Sequence, residues 1–502
     1  MPSVVVETAS GKIRGELRGD VASWKGIPYA APPLGALRFR PPQPAAPWAG
    51  ERDGSRYGAV AAQSRDPRIA MMSGVTDKVA SGEDCLTLNV SAPDPGLGGG
   101  PYPVMVWIHG GAFIMGSGST PLYSGGSFAA DGVVAVTLNY RLGLPGLLYL
   151  GDLAPERAEG NYALLDQIAA LAWVARNIAA FGGDPERVTV MGESAGAISI
   201  ATLLAMPAAR GLFQRAILQS GASGVSPPTR DDATRITRSV LEDLGCTVDQ
   251  LVDVPIDQLL ACQDRISHGL GVGALSPYID GVTVPRPPIE LVRAGAAAGI
   301  PLLVGTNRDE WTLFEVFLGE VTVDAFRPIL RTRLGAALEP LLAAYRVERG
   351  GQPDPGDRHA WLDLVGDTVF RIPVIRLAEA QADHGTPVYA YRFDWRSPAF
   401  GGRLGAGHAL ELPFVWNRLD LPVSQILLGA NAARAQALAT AMHGAWVEFI
   451  KRGDPNGVEG LPAWPGYDRA RRTTLLLDHE SSVAHDPGWA SRALWAEHLA
   501  EP

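Results

Sequence analysis

The sequence predicts an α/β fold: a central, mostly parallel sheet with helices on both faces and helical insertions around it. Three observations predict it. Short apolar strand-like runs alternate with segments of helical periodicity. The strand-like runs are apolar almost without interruption, which requires cover on both faces of the sheet. No internal repeat, low-complexity tract or long linker divides the 502 residues, so residues 1–502 read as one domain.

The elements follow in chain order. Val4, Val5 and Val6 lead into a polar turn at Ser10-Gly11 and read as a first strand. Buried strands are expected at 103–108, 133–138, 187–191, 215–218 and 301–304. A helix is expected over 161–180. Asn161 is placed to cap it, Leu164, Ile168, Leu171, Ala175 and Ile178 form one apolar stripe, and Gly182-Gly183 stops it. A second helix, rich in small residues, is expected over 195–209. Residues 92–103 hold four prolines and four glycines and read as a loop, as does 220–232. Residues 233–300 and 320–380 are helix-rich insertions around the sheet.

Composition narrows the function classes. Apolar residues make up 46% and charged residues 19%, a globular balance that can bury a large core without staples. A net charge of −10 argues against a general nucleic-acid binder. The longest apolar helical run, 195–209, has 15 residues, short of the about 20 that a bilayer needs, so no membrane span is expected. No charged segment followed by an apolar core resembles a secretory leader at the N-terminus, which favours the cytoplasm. The three cysteines, Cys85, Cys246 and Cys262, point the same way. Cys246 and Cys262 are close enough in sequence to pair, but reduced thiols are the favoured reading. No cluster with metal-ligand spacing is seen, and no cofactor is expected.

The chemistry concentrates in two motifs. Gly192-Glu193-Ser194-Ala195-Gly196 matches G-x-S-x-G, with a strand expected before it and a helix after it. Such a turn needs glycines on both sides so that backbones can approach, and it lifts the serine hydroxyl to a helix N-terminus. His109-Gly110-Gly111-Ala112-Phe113 directly follows the strand 103–108. Small residues there free the N–H groups of Gly110, Gly111 and Ala112, joined by that of Ala195, to converge on an oxyanion.

A nucleophilic serine needs a base, and the base an orienting acid. Of nine histidines, His408 stands out in the flexible loop Gly405-Ala406-Gly407, before an apolar run. Glu310 follows the strand 301–304, at the strand end where catalytic groups collect in open α/β sheets. Asp309 is an adjacent competitor, and composition does not choose between them.

With these motifs in view, the chain resembles the type-B carboxylesterases, the α/β-hydrolase family that includes bacterial p-nitrobenzyl esterases and animal cholinesterases. The likeness runs from about Val5 to about Trp464. It rests on Gly26-Ile27-Pro28-Tyr29-Ala30, Glu83-Asp84-Cys85-Leu86, Phe181-Gly182-Gly183-Asp184-Pro185 and the serine motif. The resemblance implies an α/β-hydrolase fold and a triad of Ser194, Glu310 and His408, in the order that fold uses. It favours Glu310 over Asp309, and Glu411-Leu412-Pro413-Phe414 after His408 fits the family pattern. It makes Glu193 and Ser220 supporting candidates and Arg38–Glu83 a structural ion pair. It also implies an oxyanion loop with room for bulky alcohol groups.

Two departures from the family carry information. Secreted relatives pair the cysteine at the Cys85 position with one about twenty residues earlier, and 61–84 contains none, so Cys85 is expected to be free. The same stretch lacks the aromatic residue with which cholinesterases hold a quaternary ammonium, so a choline-ester preference is not expected.

The implied activity is hydrolysis of carboxylic esters through an acyl-enzyme. Short to medium acyl chains and aromatic or bulky alcohols are the expected substrates. A non-catalytic binding or adhesion relative is the alternative, as is a carbamate, amide or polyester hydrolase. Phe113, Leu275, Trp311, Phe314, Leu364 and Phe370 are candidate pocket walls.

Overall fold

A computed structural model describes residues 2–64, 79–157, 159–224, 227–270, 275–319, 321–351, 357–429 and 432–500. The aromatic-free, cysteine-free stretch read at 61–84 therefore lies largely outside the described residues.

The strands in chain order are β1 (Ser3–Thr8), β2 (Gly11–Arg18), β3 (Val21–Pro28), β4 (Glu51–Asp53), β5 (Val60–Ala61), β6 (Ser81–Gly82), β7 (Thr87–Pro93), β8 (Tyr102–Ile108), β9 (Val134–Leu138), β10 (Gly183–Glu193), β11 (Arg215–Gln219), β12 (Leu302–Asn307), β13 (Val388–Phe393), β14 (Thr473–Leu477) and β15 (Ser482–His485). Thirteen of them form one sheet in the order β1-β2-β3-β7-β9-β8-β10-β11-β12-β13-β14-β15, with β4 beside β2. From β9 to β14 every pairing is parallel. Strands β1, β2, β3 and β7 and the last strand, β15, pair antiparallel, an edge arrangement not expected from the sequence, while β4 runs parallel to β2.

The near-continuous apolar runs have the cover they require. Side chains alternate along each strand, so successive residues enter different cores. Val104, Val106 and Ile108 of β8 join one core, with Val188, Val190, Leu218 and Val304. Met105 and Trp107 join the other, with Met191, Ile217 and Leu303. The first core is closed by the helices Tyr162–Asn177 and Ala195–Leu203, the second by the long helix Ala432–Arg452. A third cluster holds the insertion after β12 together, from Trp311 to Ile372, with Trp495 from the last helix.

Several local expectations are corrected. Asn161 precedes its helix but does not cap it. It is fully buried in a left-handed conformation, and its amide is spent on the Tyr278 carbonyl and Asp280 Oδ2. The helix after Ser194 ends at Leu203 rather than at 209, because Met206 turns extended ahead of Pro207. Strand β7 runs into the loop expected from 92, to Pro93, and β8 starts at Tyr102. The loop expected over 220–232 is shortened by a helix starting at Arg230, where Thr229 and Asp232 form a capping box.

The expectation that no segment is long enough to span a bilayer also needs correction. The helical stretch Tyr162–Phe181 passes by length and composition. It lies in the core, where its Asp166 is buried and bound by Arg141 at 2.7 Å.

Candidate active site

The adjacent parallel strands β8, β10, β11, β12 and β13 all end toward one side of the sheet, and the chemistry-bearing residues follow those ends. His109–Ala112 follow β8, Ser194 follows β10, Ser220 follows β11, Glu310 lies three residues past β12, and His408 sits in the loop after β13. Strands lie about 4.8 Å apart, so neighbouring strand ends bring together residues separated by 116 and 98 positions in sequence.

Ser194 is the junction between β10 and the helix Ala195–Leu203. Its φ of 54° and ψ of −121° are rarely tolerated outside glycine, so the surrounding structure must hold it there. Its N–H donates to the Gln219 carbonyl at 2.9 Å and its carbonyl accepts from Ile198 N–H at 2.9 Å. The turn depends on missing side chains. A Cβ on Gly196 would collide with the Ile108 carbonyl oxygen, and one on Gly192 would lie 2.8 Å from the Gly196 carbonyl carbon.

The loop after β8 packs against this turn. A Cβ on Gly110 would lie 2.6 Å from Glu193 Oε2 and 3.1 Å from Ser194 Cβ. Gly111, Ala112 and Phe113 have φ of 108°, 51° and 62°, three successive left-handed residues of which only one is glycine. Among the described residues, the N–H groups of Gly110, Gly111, Ala112 and Ala195 donate no hydrogen bond. His109 is held as a neutral ring. Burial lowers it to about 4, its Nδ1–H donates to Gly110 O at 2.8 Å, and it stacks on Tyr140.

His408 Nδ1 donates to Glu310 Oε2 at 2.6 Å, and Glu310 Oε1 accepts from Asn307 N–H at 2.7 Å. On its other side, His408 Nε2 lies 3.0 Å from Glu193 Oε1. Ser194 Oγ makes no hydrogen bond among the described residues. Burial alone would lower the His408 pKa, but the carboxylates of Glu193 and Glu310 outweigh it and raise the imidazole above its ordinary value. Phe370 stacks on the imidazole with centroids 4.5 Å apart, and Phe314 lies tilted beside the imidazole and parallel to the Phe370 ring. Phe370 belongs to a five-residue π-turn, Asp367–Arg371, pinned where Asp367 accepts from Tyr345 OH and Arg371.

Asp309 takes a different part. It accepts from Ala406 N–H at 2.9 Å and pairs with Arg349 at 2.9 Å, so it anchors the His408 loop and does not reach the imidazole. The ion pair of Arg38 with Glu83 forms, and Arg38 also donates to the Val252 and Val254 carbonyls. Cys85, Cys246 and Cys262 are free thiols. Ser220 is fully buried with its hydroxyl unpaired among the described residues.

One part of the site was not singled out from sequence. Glu411 is fully buried and accepts from Gln219 Nε2 at 3.0 Å and Asn307 Nδ2 at 2.7 Å. Burial, with Glu193 and Glu310 nearby, raises its carboxyl to about 8, so it is largely neutral at pH 7. Gln219 is in turn held by Trp446 Nε1–H, and Asn307 also donates to the Gly407 carbonyl. Gln219 and Asn307 are polar residues ending apolar strands, a visible signal that strand counting passes over.

A cavity of about 880 Å³ opens above these residues. Phe113, Trp311, Phe314 and Phe370 line it as expected, and Leu275 and Leu364 are buried elsewhere. Among the described residues no group of His, Cys, Asp and Glu is arranged to hold a metal.

The chain is similar to known proteins over nearly its whole length. The model of the Carboxylesterase family matches residues 2–495. The para-nitrobenzyl esterase of Bacillus subtilis is 42% identical over 97% of each chain. The phenmedipham hydrolase of Pseudarthrobacter oxydans is 36% identical over 96% of this chain and 97% of its own. The crystal structure of the Geobacillus stearothermophilus carboxylesterase EST55 superposes with a TM-score of 0.86 at 39% identity, covering 98% of this chain and 99% of that one. The chain belongs to the carboxylesterase family, has its α/β-hydrolase fold, and is a carboxylic ester hydrolase.

Proposed function

We propose that hydrolysis runs through an acyl-enzyme on Ser194, with His408 as base and Glu310 as the group that orients it. The observation that carries this is the 2.6 Å bond from His408 Nδ1 to Glu310, beside a serine held in a strained turn. With Nδ1 protonated, Nε2 carries the free lone pair and takes the Ser194 proton as Oγ attacks the ester carbonyl. The bond from Ser194 Oγ to Nε2 forms when substrate binds, since catalytic hydrogen bonds are often completed only in the substrate complex. The unspent N–H groups of Gly110, Gly111, Ala112 and Ala195 receive the oxyanion. His408 then protonates the leaving alcohol, and water repeats the sequence to release the acid. Glu193 and Ser220 support this site from beside it.

The apolar cavity supports esters with short to medium acyl chains and aromatic or bulky alcohols as the substrate class. Three free thiols support a reducing compartment, the cytoplasm, as its setting.

The test is a p-nitrophenyl ester series of increasing acyl length, with Ser194→Ala as control. Ser194→Ala should stay folded and lose several orders of magnitude in kcat/KM, and a fluorophosphonate should label only the wild type. Near-wild-type turnover in Ser194→Ala would overturn the assignment. An optimum above about ten acyl carbons would overturn the chain-length class.

A further inference from the structure

The cavity changes character between its floor and its mouth. Trp311, Phe314, Leu330 and Phe370 line it and are buried, so they form the inner walls. Ile329, Phe400, Val423 and Ile426 also line it but are 52%, 46%, 52% and 66% exposed, which places them at the opening. Large apolar side chains around an opening are surface that a bound molecule would cover.

Among the described residues, one guanidinium, that of Arg333, stands in this apolar rim. The helix Val321–Leu334 presents Phe326, Ile329, Leu330 and Arg333 to the cavity, the i, i+3, i+4, i+7 spacing of a single helical face. Arg327 and Arg331 of the same helix are directed instead to the Trp361 ring, and Arg327 also pairs with Asp324. Arg333 is exposed and has no carboxylate partner among the described residues. Among the described residues, the other charged groups lining the cavity are Glu193 and His408, which face each other beside Ser194. The cavity is therefore apolar in the middle, with its unpaired positive charge at the mouth.

We propose that the mouth is a subsite for esters whose distal end carries a carboxylate. The ester group sits at Ser194, the apolar chain lies across Ile329, Phe400, Val423 and Ile426, and the terminal carboxylate pairs with the Arg333 guanidinium. A guanidinium suits this role because its fork matches the two carboxylate oxygens. The inference rests on the reading of this cavity as the ester-binding site.

The experiment compares two p-nitrophenyl esters of equal chain length, one ending in a free carboxylate and one capped as its methyl ester. The readout is the ratio of their kcat/KM values at low ionic strength, measured in the wild type, Arg333→Lys, Arg333→Gln and Arg333→Glu. An ion pair at an exposed mouth predicts a ratio about two- to fivefold lower in Arg333→Gln. It predicts a further fall in Arg333→Glu and partial retention in Arg333→Lys. High salt should bring the wild-type ratio down to that of Arg333→Gln. The same ratio in all four proteins overturns the proposal. So does a parallel fall on both esters, the signature of a cation that merely stabilises a helix C-terminus. Retained hydrolysis of the methyl-capped ester in Ser194→Ala would instead refute the assignment of the active site, whatever Arg333 does.

Discussion

Glu193→Gln should move the acid limb of the pH–rate profile to lower pH. In the proposed mechanism His408 acts as base only when neutral, so kcat/KM should fall as pH drops through the pKa of the free enzyme's imidazole. Two carboxylates hold that pKa up, and Glu193 is one of them, with Oε1 3.0 Å from Nε2. Two unit charges at that distance attract by roughly 5 kcal/mol in an effective dielectric of about 20, or about four pKa units as a ceiling. Opposite charges in close contact commonly shift a pKa by about one to three units, and the lower range applies here because Glu310 remains. The acid limb of the wild type should therefore lie above the ordinary histidine value of about 6.5, and that of Glu193→Gln about one to two units below the wild type. The assay is pH-stat titration of a neutral ester across the acid limb, with denaturant melts to confirm that the variant is folded. An acid limb that stays in place or moves upward would refute the reasoning.

Four further outcomes follow from other parts of the molecule. The raised carboxyl of Glu411 is bound by protons in the folded chain at pH values where the unfolded chain has lost them, so its contribution to stability is complete below about 4.3 and is lost as pH rises to about 8. Glu411→Gln should flatten that decline by up to about 1.4 kcal/mol per pH unit, measured by denaturant unfolding at several pH values, and parallel curves would contradict it. Arg38→Met should lower stability by about 3 kcal/mol, because it leaves Glu83 and two carbonyls without their donor, and activity per folded molecule should be kept. Phe370→Leu removes the ring stacked on His408 and should reduce kcat about two- to tenfold, with Phe370→Tyr restoring most of it; unchanged turnover in the leucine variant would count against a positioning role. Gly196→Ala should yield little folded protein or none that a fluorophosphonate labels, since its Cβ would occupy the space of the Ile108 carbonyl oxygen.

The legible parts of this protein are those where local chemistry and long-range role coincide. A buried parallel strand must be apolar along its length, so β8 to β12 could be read directly. The turn at Ser194 must have glycine at 192 and 196, because carbonyls of Ile108 and of Gly196 itself fill the space where side chains would go. The resemblance favoured Glu310 over Asp309, and in the structure Glu310 bonds His408 whereas Asp309 is committed to Arg349 and to the Ala406 N–H. The misread role of Asn161 has a different cause. Asn161 has the side chain of a cap, but its partners at Tyr278 and Asp280 lie more than a hundred residues away.

The sequence by itself determined the alternation of strands and helices, the serine turn, the small residues of the loop after β8 and the number of cysteines. These depend on neighbours a few residues apart. Only the tertiary structure decided what surrounds the imidazole: Glu193 on one side, Glu310 on the other, Phe370 on its face, and Glu411 buried behind on Gln219 and Asn307. It also decided that one face of a helix in the insertion would carry Arg333 to the cavity mouth. The physical reason is that these effects arise from distance and burial among groups on different strands and insertions. Sequence order does not encode such distances until the sheet order β8-β10-β11-β12-β13 brings the strand ends together.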